Sequence, residues 1–113
     1  MLLFDMAGTV KICCTSFEAA AENLRASLAA EGGSNIKIVD GKITFDGETG
    51  RMSGNRLNNI AAGKIELRSE AGSIELAYVV NIDRWNLIVT TGASTYVIRR
   101  RFRRLLKQAF QVP

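Results

Sequence analysis

Histidine is absent from this chain of 113 residues. That removes the commonest general acid–base group and the commonest metal ligand together. Proline and tryptophan occur once each, and cysteine twice, at the adjacent positions Cys13 and Cys14. Neighbours on a strand point to opposite faces, so a bridge between these two would be strained. Two reduced thiols are expected, and with them a reducing, cytoplasmic setting. Lys11 is the only nearby cation and no imidazole is available, so neither thiol reads as an activated nucleophile. No set of Cys and carboxylate side chains has zinc-ligand spacing, and no phosphate-binding glycine loop, nucleophile elbow or dinucleotide fingerprint occurs. These absences argue against an enzyme and against a metal or other cofactor.

Long apolar runs are missing too. A spanning helix needs about 18–20 apolar residues. The richest stretch, Leu87 to Ile98, is short and interrupted by Thr and Ser. The start, Met1 to Met6, has no basic region and is broken by Asp5, which reads against a signal peptide. What is present is 47% apolar residues with a net charge of +4, enough for one globular domain over 1–113 without disulfides.

Val10, Ile12 and Cys14 alternate with polar or thiol neighbours, predicting a strand at 8–14. Thr15 with Glu18 matches a reciprocal capping box, and Phe17, Ala20, Ala21, Leu24 and Leu28 recur at helical spacing. Gly32-Gly33 marks the stop of a helix over 16–31. Asp40-Gly41 lies between alternating segments, a strong hairpin signal that pairs Ile38 with Ile43 and Ile36 with Phe45. Residues 46–59 hold three glycines in eight residues and no period, so a long loop is expected, with Leu57 and Ile60 tucked onto the core. Asp46 and Glu48 there could share a cation, but their spacing matches no EF-hand.

A second hairpin turns at Ala71-Gly72 and sets Leu67 opposite Leu76, Ile65 opposite Tyr78 and Arg68 opposite Glu75. A third, at Asp83-Arg84, would set Trp85, Leu87 and Val89 against Ile82, Val80 and Tyr78. Ile98, Phe102, Leu105, Leu106 and Ala109 then define an amphipathic helix over 96–110. The expected order is β-α-β-β-β-β-β-α. This is an α+β fold in which an antiparallel meander-type sheet carries an N-terminal amphipathic helix and a basic C-terminal one.

That last helix carries the clearest functional signal. Arg99, Arg100, Arg101, Arg103, Arg104 and Lys107 fall within 97–113 with no acid, leaving nine cations against eleven acids before residue 97, a net −2. Like charges at Arg99/Arg103 and Arg100/Arg104 cost tenths of a kcal/mol each, at about helical i,i+4 spacing. A solvated face and a favourable macrodipole explain part of this run. The functional alternative is an anionic partner: a membrane surface or an acidic protein, with nucleic acid less favoured because the aromatics fall mostly on core positions. Residues 96–113 form a basic helical tail that either docks on the sheet or projects from it.

The capped helix, the Asp-Gly hairpin, the polar loop, and the segments Gly63-Lys64-Ile65-Glu66-Leu67 and Ile74-Glu75-Leu76-Ala77-Tyr78 form a recognisable layout over about residues 10–90. It resembles small bacterial α+β domains of unassigned function, some of which continue into membrane segments. The resemblance implies a juxtamembrane place for the basic helix and transfers no site residue. The expectation is a non-enzymatic binding module, cytoplasmic or peripheral to the membrane, whose six basic residues contact an anionic partner. Two competing readings are a small-ligand carrier with a pocket between helix 16–31 and the sheet, and a homo-oligomeric structural unit.

Overall fold

The computed structural model describes residues 3–13, 16–48, 57, 60–70, 72–83 and 95–110. Among them run β1 (Leu3–Cys13), α1 (Phe17–Ala30), β2 (Ser34–Val39), β3 (Lys42–Asp46), β4 (Ile60–Glu70), β5 (Ser73–Asp83) and α2 (Thr95–Gln108). This is the expected α+β order, except that the strand expected at 85–89 lies outside the described residues. The strands form one antiparallel sheet ordered β1-β5-β4-β3-β2. Strands β2 to β5 meander, and β1 closes the far edge against β5.

That closure corrects one expectation. Strand β1 starts at Leu3 and not at residue 8, pairing with β5 from Leu3 opposite Asp83 to Cys13 opposite Ser73. Ala7 and Gly8 break the apolar alternation, which hid the first half of the strand. Strand β5 is thus paired by β1 on one side and β4 on the other, and Trp85, Leu87 and Val89, expected opposite Ile82, Val80 and Tyr78, lie outside the described residues.

Local chemistry explains the remaining elements. Ser16, not Thr15, caps α1: its hydroxyl accepts from the Ala19 amide at 3.2 Å. Phe17 consequently sits at the first helical position and is 43% exposed, off the buried stripe of Ala20, Leu24 and Leu28. The helix ends in a Schellman arrangement. Gly32 has φ +97°, and the Gly33 and Gly32 amides donate to the Leu28 and Ala29 carbonyls. Asp40 and Gly41, at φ +50° and +73°, form the primed turn that a right-twisted hairpin favours. Ile38 faces Ile43 as expected. Beyond it, Asn35 and Ile36 together oppose Phe45 in a bulge, with Asn35 at φ +51°. Leu67, Ile65 and Arg68 face Leu76, Tyr78 and Glu75 as expected.

Both helices cover one face of the sheet, α1 over β2 and β3 and α2 over β1. Between them and the sheet lies a single core that includes Met6, Val10, Leu24, Leu28, Phe45, Leu57, Ile60, Ile65, Leu76, Tyr78 and Ile82. Leu57 and Ile60 are fully buried, tucking the end of the polar segment inward. The C-terminal helix docks. Ile98, Phe102, Leu105 and Leu106 are buried, and the Phe102 ring meets Tyr78 edge-on at 5.2 Å and stacks with Phe45 at 6.2 Å. Ala20, Leu24 and Leu28 form the buried stripe of α1.

Candidate functional site

Docking sorts the six basic residues of α2 into separate roles. With Ile98, Phe102, Leu105 and Leu106 turned inward, Arg100, Arg104 and Lys107 fall at i, i+4 and i+7 along the opposite side. All three are exposed, as is Arg99 on one flank. Arg103 is half-buried and turns inward over the β1 edge. Its Nη1 donates to the Thr9 carbonyl at 2.7 Å and reaches the Tyr78 hydroxyl at 3.5 Å. Arg101 is half-buried and already has an interaction partner. The surface-facing set is therefore Arg99, Arg100, Arg104 and Lys107, four of the expected six.

Sheet and helix are fitted to one another at this point. Gly8 lies opposite Tyr78, and a Cβ at position 8 would stand 2.5 Å from the phenol oxygen. Only glycine lets the buried ring lie across β1 so that its hydroxyl reaches Arg103. The role of Arg103 was not legible from its place in the basic run.

Among the described residues, no helix lies on the opposite face of the sheet. The registers of β2 to β5 place Lys37, Thr44, Lys64 and Val79 side by side in one row across it. The next row holds Val39, Lys42, Glu66 and Ala77, with Val39 64% exposed. A hollow of about 680 Å³ opens over the first row. Two of its polar rim residues, Asp46 and Asn81, are engaged. Asp46 accepts from the Asn35 amide at 2.8 Å, and Asp5 accepts from the Asn81 amide. Asp46 and Glu48 do not converge on a cation, because Glu48 lies against Gly32 at the end of α1. Among the described residues no group of three or more Cys, Asp and Glu is placed to hold a metal ion. Arg68 donates to Glu66 at 3.1 Å and lies 3.6 Å from Glu75. That hydrogen bond holds the Glu66 carboxyl below its usual range, opposed by desolvation and aided by the charges of Arg68, Lys42 and Lys64.

No protein-family model matches the chain, and no curated protein or solved structure matches it significantly. Among the described residues, no helix is long and apolar enough to cross a membrane.

Proposed function

We propose that this protein is a non-enzymatic binding module that attaches reversibly to an anionic lipid surface through the outer side of α2. The observation behind this reading is the stripe of Arg100, Arg104 and Lys107, flanked by Arg99, on a docked helix that contains no acid. A basic residue near an anionic leaflet contributes about 1 kcal/mol, so four contribute about 4 kcal/mol, an affinity in the millimolar range. The attachment is weak and depends on a dense anionic surface.

Its physical character follows from the docking. A free amphipathic helix would bury its apolar side among acyl chains. Here that side is already occupied: Ile98, Phe102, Leu105 and Leu106 pack in the core. Contact therefore stays at headgroup level and is electrostatic, screened by salt over a Debye length of about 8 Å at physiological ionic strength. A single-stranded nucleic acid would gain no stacking from Phe45, Tyr78 or Phe102, which are buried.

Co-sedimentation with phosphatidylserine-containing vesicles, against phosphatidylcholine vesicles, tests the reading. Binding to the first alone, reversed by raised salt, supports it. Equal binding to both, or retention at high salt, contradicts it. Preferential shift of duplex DNA, or of an acidic protein in place of the vesicles, would assign the stripe to that partner instead.

A further inference from the structure

Thr44 stands at the centre of three lysines on the sheet face opposite the two helices. Lys37 flanks it from β2 and Lys64 from β4, each directly opposite in register. Lys42 lies two residues along the same strand, hence on the same face. Adjacent strands are about 4.8 Å apart, so the Lys37 and Lys64 backbones are about 10 Å apart, and their side chains can close over the Thr44 hydroxyl. All four residues are exposed. Among the described residues, no carboxylate lies within ion-pair distance of Lys37, Lys42 or Lys64. Of the acids around them, Glu66 is bonded to Arg68 and Asp46 to Asn35, while Asp40 lines the hollow beside Lys42.

Cross-strand and diagonal neighbours stabilise a sheet when they are of opposite charge or apolar. Lys42 faces Glu66 across the strands, but the Lys37–Thr44–Lys64 row holds no acid and gains nothing from such pairing. Lys37, Thr44 and Lys64 line the hollow of about 680 Å³ together with Asp46 and the small residues Ala62 and Gly63. The adjoining hollow toward the Asp40-Gly41 turn is lined by the same three lysines and Thr44. Compact ammonium groups act as point charges toward phosphate, and a hydroxyl adds a donor to one of its oxygens.

We infer that the sheet face opposite the two helices holds a second binding site, for a small ligand carrying a phosphate group. Lys37, Lys64 and Lys42 supply the charge, and the Thr44 hydroxyl fixes the phosphate above the sheet. The site is independent of the lipid reading, since the sheet separates it from α2.

The test is an amide-resolved NMR titration of the full chain with inorganic phosphate, at constant ionic strength balanced with chloride. The expected result is saturable shifts centred on Lys37, Thr44 and Lys64. A Lys37→Gln/Lys64→Gln variant should bind at least about tenfold more weakly, since two charge-assisted contacts are lost. An Arg100→Glu/Arg104→Glu variant should keep the shifts, which separates this site from α2. The positions are exposed, so the spectra themselves report that the variants remain folded, and single Lys37→Gln and Lys42→Gln variants give graded losses as a second measure. Shifts that chloride reproduces, that fail to saturate, or that survive in the double variant overturn the inference. A glycerol phosphate arm and a nucleoside monophosphate arm then show which carrier of the phosphate is preferred.

Discussion

Arg103 on α2 donates to the main-chain carbonyl of Thr9 on β1 at 2.7 Å, joining the most basic element to an edge strand 94 positions away in sequence. An edge strand presents unpaired main-chain groups, and a charged side chain laid on one is a recognised way to protect it. The contact makes Arg103 structural, although it lies in a run of otherwise outward-facing cations.

Arg103→Ala should therefore cost about 1–3 kcal/mol, because the Thr9 carbonyl loses its charged donor and the buried Tyr78 hydroxyl loses its neighbour. Arg104→Ala, one residue further along and exposed, should cost under about 0.5 kcal/mol. Chemical denaturation of both variants checks the contrast. Equal losses would show that the run acts as one undifferentiated charged face.

Gly8→Ala should destabilise by about 1–3 kcal/mol through overpacking against the Tyr78 phenol. Tyr78→Phe removes the closest atom, so the double variant should lose less than the sum of the two singles. A double-mutant cycle reads the difference directly, and strict additivity would mean the ring moves aside at no cost.

How much was legible in the sequence follows from these contacts. Alternation and turn chemistry set the local pairs correctly, as with Ile38 and Ile43 across Asp40-Gly41, or Arg68 and Glu75 across Gly72. They could not show that β1 fills the free side of β5, because that pairing joins residues far apart in sequence and Gly8 interrupts the pattern. The same limit hid the Lys37–Thr44–Lys64 row, since β3 and β4 meet across a long polar segment with no hairpin signal. The cations of α2 were visible as a group. Their division into surface and structural members needed the docking direction, which composition does not contain.

Phe102→Ala should be the most damaging of these substitutions, at about 3–5 kcal/mol, since the ring is fully buried between Phe45 and Tyr78. Loss of the docked helix would also free its apolar stripe. Vesicle binding by this variant is then expected to become less salt-sensitive as the stripe gains access to acyl chains. Vesicle binding measured across a salt series detects the change.

Glu66 adds a pH dependence of known sign. Its carboxyl is held below the usual range by Arg68, so its contribution to stability is present above the ordinary glutamate pKa. It is lost as the pH falls through the lowered value. Glu66→Gln should lower stability slightly at neutral pH, since water screens the pair, and leave it unchanged below the lowered pKa, so that part of the acid limb flattens. Thermal melts between neutral and acid pH check this, and an unchanged acid limb would show that the Arg68 bond does not persist in solution.

The most direct test of the account is co-sedimentation of an Arg100→Glu/Arg104→Glu/Lys107→Glu variant with phosphatidylserine-containing vesicles, at low and raised salt. The predicted result is a stably folded protein that no longer pellets at low salt, beside a wild type that pellets at low salt and is released as salt rises. A variant that binds like wild type would contradict the claim that the outer side of α2 is the contact surface.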